Sequence, residues 1–236
     1  MRKKAILVCT LCTILLAGCA QQDNGQTPEE SSETGTVQET AAVQETTADL
    51  SVMMANATAG CQIGEEGQPI EQGGVTYCVD SVTMTKQQGD WMDISGAMPE
   101  LDANGCIVGD ESYVVIHVTV QIQEECDFWW NQFWLSSFEE DDLRIGPREL
   151  VSCSLVQNYD AQSVLDNDIY HANLAVGDEV EADLIFTLYD DEYNEKAHFL
   201  LEYNPTGTVI ASIKPENHSM IYLKSLEDMK HEDVDK

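Results

Sequence analysis

The strongest pattern in the chain is Tyr113-Val114-Val115-Ile116-His117-Val118-Thr119-Val120-Gln121-Ile122. From Val114 onward the even-numbered residues are all valine or isoleucine, whereas the odd-numbered residues include histidine, threonine and glutamine. This period-two alternation, rich in β-branched residues, is typical of a β-strand that is buried on one face. We therefore predict a half-buried strand whose even-numbered side chains enter a core.

Shorter runs of the same kind lie on both sides of this strand. They predict strands at residues 75–85, 128–135, 151–155, 180–188, 199–203 and 209–213, with a short strand near 105–108. Turn residues separate them, as at Gly177-Asp178 and Asn204-Pro205-Thr206-Gly207, and no pattern indicates a central helix. Short strands punctuated by turns favour an antiparallel β-sandwich, so we predict an all-β fold.

Four motifs within these strands and turns resemble a known domain. They are the apolar strand that begins at Tyr113, an aromatic strand that ends in an acidic turn, Leu-x-x-Gly-Asp at 174–178, and Leu-x-Tyr-x-Pro-x-Gly at 201–207. Together they look like the telokin-like, immunoglobulin-like domain of Gram-positive surface lipoproteins, over about residues 75–213. The resemblance implies an immunoglobulin-like β-sandwich but no particular activity. The Cys-Trp-Cys spacing of antibody-type domains is absent.

The first nineteen residues indicate export and lipid attachment. Arg2, Lys3 and Lys4 precede an apolar run that is too short to span a hydrocarbon core of about 30 Å. Leu16-Ala17-Gly18-Cys19 then resembles a bacterial lipobox. The resemblance implies cleavage before Cys19 and acyl chains on this residue, which would tie the protein to the extracellular face of the cell membrane. The alternative is an ordinary signal peptide with an incidental cysteine.

Composition divides the chain into five segments. Residues 1–18 are the signal peptide, and residues 19–49 are the lipidated cysteine with a disordered acidic linker that contains no Lys or Arg. Residues 50–74 are a lead-in, residues 75–214 the sandwich, and residues 215–236 a charged tail with at most a short helix. Such a linker has a root-mean-square reach of roughly 30 Å and would hold the domain off the membrane.

The chain is strongly acidic, with 11 Lys and Arg against 43 Asp and Glu and a net charge of −32. Removal of residues 1–18, which hold three of the basic residues and no acidic one, would leave −35. Such a chain is repelled by nucleic acid, so we expect no nucleic-acid partner. The acidic turns at 139–142 and 190–192 could bind calcium, but neither fits an EF-hand pattern, and we favour solvated turns.

Five cysteines follow the anchor: Cys61, Cys78, Cys106, Cys126 and Cys153. The number is odd, so at least one thiol is unpaired within the chain. A Cys106–Cys126 bridge is disfavoured, because these residues bracket the longest strand, whose ends are about 30 Å apart. The other pairings stay open.

No set of residues indicates catalysis or a cofactor. The histidines are His117, His171, His198, His218 and His231, and they fit neither a metal-ligand nor a triad spacing. His117 and His198 lie opposite apolar residues of predicted strands, so we expect both side chains in solvent. We therefore expect a protein that is not an enzyme and has no cofactor.

The aromatic segment Phe128-Trp129-Trp130-Asn131-Gln132-Phe133-Trp134-Leu135 is the candidate ligand-binding feature. In an extended chain Trp129, Phe133 and Leu135 point one way, and Phe128, Trp130 and Trp134 point the other. If this face is exposed, Trp130 and Trp134 are the candidate platform for a protein or glycan partner. We favour the alternative, in which a loop such as residues 86–110 covers them.

These patterns together favour a membrane-anchored extracellular lipoprotein that acts as a binding module. The alternative is a structural or accessory subunit of a cell-envelope complex.

Overall fold

β-Strands make up most of the chain that the computed structural model describes, which comprises residues 46–58, 61–91, 99–155, 168–206 and 217–232. The strands are β1 (Gln62–Glu65), β2 (Ile70–Gln72), β3 (Val75–Thr85), β4 (Glu111–Ile122), β5 (Phe133–Glu139), β6 (Asp142–Glu149), β7 (Ser152–Cys153), β8 (Glu179–Tyr189), β9 (Ala197–Tyr203) and β10 (Ser219–Tyr222). Within the described residues two helices flank them, α1 (Thr46–Ala57) and α2 (Lys224–Glu232).

The strands form two sheets. Sheet I has the order β1-β10-β9-β5-β6, and sheet II has the order β2-β3-β4-β8-β7. Neighbouring strands are antiparallel except for β1 and β10, which run parallel. The predicted all-β sandwich is confirmed. The predicted strand at 209–213 lies outside the described residues.

The core lies between the inner faces of the two sheets. β4 pairs with β3 and β8 along nearly its whole length. Its even-numbered residues from Val114 to Ile122 are at most 2% exposed, whereas His117, Thr119 and Gln121 are half-buried. From sheet I, Phe133, Leu135, Phe199, Leu201, Tyr203 and Ile221 complete the core. The predicted orientation of the central strand is therefore confirmed.

A β-bulge in β3 explains why its buried residues change from odd-numbered to even-numbered positions. Val75, Tyr77 and Val79 are buried, and the next buried residue is Val82. The register with β4 shifts between Val79 and Ser81, which leaves Asp80 as the extra residue. A bulge adds one residue to one strand and restarts the alternation, so the strand keeps one face in the core.

The sandwich ends in tight turns at the C-terminal end of β4. Gly73 and Gly74 join β2 to β3 and both have positive φ, as a two-residue type I′ hairpin requires. In the Leu-x-x-Gly-Asp motif Gly177 has φ +92°, and its N–H donates to the Ile122 carbonyl at 2.8 Å. The motif therefore aligns the start of β8 with the end of β4.

The outer face of sheet I is covered by α1. Leu50, Met53, Met54 and Ala57 pack on apolar side chains of this face, among them Phe138, Leu200 and Met220. The Gln-, Glu- and Thr-rich sequence of the predicted linker offers no apolar face. The helix forms where Leu50, Met53 and Met54 supply one. The boundary predicted between linker and lead-in therefore moves, because residues 46–49 belong to the helix.

The outer face of sheet II is partly covered by the segment between β3 and β4. Trp91, Leu101 and Ile107 pack on Tyr113, Val115, Val151 and Ile185. The predicted covering loop at 86–110 thus exists, but it lies over sheet II and not over the aromatic segment. The predicted strand near 105–108 is reduced to isolated bridges at Cys106 and Ile107.

The sandwich extends beyond the predicted limits of 75–214. β1 and β2 come from the lead-in, and β10 and α2 come from the predicted tail. α2 is held by polar contacts: Ser225 donates its backbone N–H to Glu66, and Tyr193 donates its hydroxyl to the Leu226 carbonyl at 2.6 Å. These short elements carry too few residues to show a period, so composition alone could not assign them.

Val118→Asp is expected to unfold the sandwich or cost several kcal/mol, because it buries a carboxylate that has no partner. Val118 is fully buried between the sheets. Thr83→Asp is the matched control, since it adds the same charge on the exposed face of β3. Urea denaturation should show a large loss of unfolding free energy for Val118→Asp and a small loss for Thr83→Asp. Equal losses would mean that both faces of sheet II are core.

Candidate functional site

The aromatic segment is mostly core, which corrects the predicted platform. Trp130 is 2% exposed and meets Phe128 edge-on at a centroid distance of 4.9 Å. The segment is not one strand, because Trp130–Gln132 form a 3₁₀ turn before β5 begins at Phe133. This turn breaks the alternation on which the prediction rested. Phe128, Trp130, Phe133 and Leu135 are therefore all buried.

Gln132 explains why the chain turns here. Its Oε1 accepts the backbone N–H of Trp129 at 3.1 Å, and its Nε2 donates to the carbonyls of Asp127 and Pro205. One buried amide thus ties the turn to two neighbouring loops. Trp129 is half-buried against His171, with ring centroids 4.7 Å apart. Trp134 is half-buried on the outer face of sheet I, beside Glu149 and Glu202.

A buried polar cluster on the outer side of sheet I was not predicted. Glu202 is 1% exposed; it contacts Nδ1 of His218 at 2.7 Å and accepts the Ser136 hydroxyl at 2.9 Å. The serine and the histidine each bond to the carboxylate, so the order of bonds does not suit a serine nucleophile. The signal in the sequence is one carboxylate inside an otherwise apolar strand, Phe199-Leu200-Leu201-Glu202-Tyr203.

The cluster affects its neighbours. Nε2 of His218 and Nε1 of Trp134 are buried and have no hydrogen-bond partner among the described residues. Burial, and after it the charge of Glu202, raises the pKa of the Cys61 thiol. The polar groups of the cluster therefore depend on one another for their hydrogen bonds.

The other described histidine side chains also face carboxylates. His117 Nδ1 lies 2.8 Å from Asp183, and His171 Nε2 lies 3.0 Å from Asp127. His198 was expected in solvent, but it is buried, and its Nδ1 lies 3.1 Å from Glu227 of α2. The docking of α2 on this end of sheet I covers it. No three or more His, Cys, Asp or Glu side chains of the described chain are arranged to hold a metal ion.

The two acidic turns contact three basic residues, Lys196, Lys86 and Arg148. In the first turn Lys196 pairs with Asp141, and Asn194 donates to Glu139 at 3.0 Å. The hydrogen bond to Asp141 raises the pKa of Lys196. In the second turn Lys86 lies 2.8 Å from Asp190, and Arg148 pairs with Glu192. These carboxylates therefore serve to join the two turns to neighbouring strands.

A groove of about 450 Å³ lies at the end of the sandwich where β4 begins and β8 ends. It is lined by Met84, Thr85, Lys86, Ser112, Asp190, Tyr193 and Met229. Polar contacts tie its lining together: Lys86 Nζ donates to the carbonyls of Glu111 (2.8 Å) and Gly109 (3.1 Å), and the Ser112 hydroxyl donates to Asp190 at 3.0 Å. We call this feature the groove.

The groove residues come from four parts of the chain. β3 and the segment after it supply residues 84–86, β4 supplies Ser112, the turn after β8 supplies Asp190 and Tyr193, and α2 supplies Met229. Lys230 follows Met229 and is buried, with Nζ 5.5 Å from the ring centroid of Tyr193. Burial lowers the pKa of this lysine. Lys230 Nζ lies over the rings of Tyr193 and Phe199, and these contacts keep α2 beside the groove.

Two exposed apolar side chains stand next to the groove. Val108 is 55% exposed and precedes Gly109; Tyr189 is 45% exposed and precedes Asp190. The Tyr189 ring lies under Arg148 at 5.6 Å, and a hydrogen bond to Glu111 raises the pKa of its hydroxyl. These contacts fix the orientation of the ring without covering it.

Cys61, Cys78, Cys106, Cys126 and Cys153 are all free thiols in the structure. Cys153 is buried in sheet II, and burial raises its pKa to about 12, so this thiol stays protonated at neutral pH. Cys61, Cys78, Cys106 and Cys126 are half-buried. Burial also raises the pKa of Cys78 and Cys126.

The predicted lipidation residue Cys19 and the signal peptide lie outside the described residues. Within the described part of the chain, neither helix has the length and apolar character needed to cross a bilayer. The anchor therefore remains a prediction from the sequence.

No protein-family model matches the chain, and no curated protein matches it. Solved structures do: the yjhA protein of Bacillus subtilis aligns over 68% of this chain and 99% of its own, with 18% identity and a TM-score of 0.43. An uncharacterised β-sandwich protein from Clostridium difficile aligns over 69% of this chain and 94% of its own, with 7% identity and a TM-score of 0.39.

A third similar structure is ycdA, a candidate lipoprotein of Bacillus subtilis. It aligns over 67% of this chain, with 11% identity and a TM-score of 0.39, and the chain spans only 39% of its length. Likenesses at this level do not define a function.

Glu202→Leu is expected to lower the free energy of unfolding by about 1–3 kcal/mol for each group left unpaired, because Ser136 and His218 stay buried without their common partner. The triple variant Glu202→Leu, His218→Leu, Ser136→Ala removes all three polar groups and should recover part of that loss. Both are measured by urea denaturation. A loss below about 1 kcal/mol for the single variant would show that the cluster is not a buried network.

Proposed function

We propose that this chain is a lipid-anchored, extracytoplasmic binding module whose recognition surface is the groove end of the sandwich. The observation that carries the proposal is the groove itself, flanked by Val108 and Tyr189. Four large apolar side chains are exposed in the described part of the chain, and two of the four stand here. Apolar residues grouped beside a concave surface are typical of binding sites.

The anchor supports the cellular part of the proposal. A lipobox cysteine that carries two or three acyl chains binds a membrane stably, at about 0.8 kcal/mol for each buried CH₂ group. The acidic segment after it would keep the domain within a few tens of ångströms of the bilayer. A tethered domain in whose sequence no catalytic motif is found is suited to hold a partner near the membrane surface.

The contacts that connect the elements at the groove end support a binding role. Tyr189 is held by Arg148 and Glu111, and Lys86 ties the segment before β4 to the turn after β8. A surface that is already ordered loses little conformational entropy when a partner binds. Tyrosine is also among the residues that contribute most to protein interfaces.

The first prediction concerns the anchor. Cys19→Ser should abolish lipid attachment, because a serine hydroxyl does not replace the thiolate nucleophile at neutral pH. Metabolic labelling with a fatty acid and detergent phase separation would measure it. Lipid-labelled protein at wild-type amounts would contradict the proposed anchor.

The second prediction concerns the recognition surface. A photo-crosslinking amino acid at position 108 should form adducts on intact cells, because Val108 stands beside the groove. The same substitution at Val176 is the matched control. Val176 is equally exposed, at 58%, but lies near Ile122 at the other end of β4, about 35 Å away.

Adducts from position 108 alone, resolved by mass after denaturing electrophoresis, would support the proposal. Equal adducts from both positions, or none from position 108, would contradict it. An absence of adducts from position 108 would favour a structural role in the envelope.

A further inference from the structure

Resting on the proposed function, we infer that the groove accepts one long apolar side chain from a basic peptide segment of a partner protein. The inference names the chemistry of the partner at the same site. It depends on what the groove leaves available for a ligand and on the charges around it.

The polar groups of the groove are already occupied. Lys86 Nζ has three acceptors, namely two carbonyl oxygens and Asp190, and Asp190 also accepts from Ser112. The Tyr193 hydroxyl donates to the Leu226 carbonyl. A polar ligand group that entered the groove would have to displace these bonds, and it would gain little over its bonds to water.

The apolar surface of the groove is still available. Met84 and Met229 are half-buried and line it together with the ring of Tyr193. Methionine side chains are flexible and polarisable, so they adapt to the shape of an inserted aliphatic group. The volume of about 450 Å³ is enough for one long side chain together with the adjoining backbone.

The charge beside the groove is negative. Asp191 and Asp228 are exposed and each is the neighbour in the chain of a groove residue, and the exposed Asp110 follows Gly109, whose carbonyl accepts from Lys86. The nearby cations are occupied, since Lys86 pairs with Asp190, Arg148 pairs with Glu192, and Lys230 is buried. With a net charge of −32, the chain repels acidic partners and attracts basic ones.

A peptide fits these conditions better than a glycan. A sugar ring gains affinity from free hydrogen-bonding groups around a flat aromatic ring, and those of the groove are engaged. A basic peptide instead places lysine or arginine near the exposed carboxylates while its apolar side chain enters between Met84 and Met229. The apolar side chain then supplies the anchor and the charges supply steering.

Three peptides test the inference by NMR: GKKLKKG, GKKGKKG and GEELEEG. The protein is the full mature chain with Cys19→Ser, so that it is unlipidated, and with ¹³C-methyl methionine. We expect GKKLKKG to shift the methyl signals of Met84 and Met229. GKKGKKG should bind about tenfold more weakly, because the leucine contact is lost, and GEELEEG should cause no shift.

Controls within the chain make the result specific. The methyl signals of Met53, Met54 and Met220 should not move, because these residues pack on the outer face of sheet I. Met229→Trp should fill the groove and abolish the shift of the Met84 methyl signal, whereas Val176→Trp at the other end should not. Raising NaCl to about 0.5 M should weaken binding several-fold, since exposed charges are screened.

Equal shifts from all three peptides, shifts outside the groove, or no shift would overturn the inference. Such a failure is distinguishable from failure of the proposed function. Adducts at position 108 on cells without any peptide shift would leave the binding module intact and reject the basic peptide. Peptide shifts without adducts would support the groove chemistry and reject the cellular role.

Discussion

The pairing of β4 with both β3 and β8 is the constraint on which the other features depend. Because side chains alternate along a strand, burial of Val114, Ile116 and Val118 fixes which residues of the two neighbours can face the core. Sheet I then has one way to pack, with Phe133, Leu201 and Tyr203 inward. The bulge at Asp80 preserves this arrangement, since it keeps β3 in phase with β4 on both sides of the extra residue.

The inward orientation of these core residues determines which residues lie on the outer faces of the sheets. Residues that alternate with the core of sheet I include Phe138, Leu200 and Met220, and they would be exposed without α1. The same alternation places Glu202 on this outer face, under cover, where it must keep Ser136 and His218 as partners. A helix that precedes the first strand therefore covers apolar residues of the same outer face that carries the buried polar cluster.

The long periodic strands could be predicted from the sequence, and the short elements could not. β3, β4, β8 and β9 have alternation or apolar runs long enough to identify, and their predicted limits agree with the structure to within a few residues. β6 contains Gly146 and Pro147, and β2 has three residues, so neither shows a period. Trp130 was assigned to the wrong face because a buried glutamine, Gln132, favours a turn inside an aromatic run.

The groove could not be predicted, because its residues are separated by up to about 145 positions and no motif joins them. Its location does have a physical cause in the composition. The described chain has few cations, and three of them, Lys86, Arg148 and Lys196, pair with Asp190, Glu192 and Asp141 of the turns at this end. These three cations are paired internally, so the turns are held in place while the surface around them stays acidic. An ordered apolar groove within an acidic surface is the result, and this combination favours a partner that brings both an apolar side chain and positive charge.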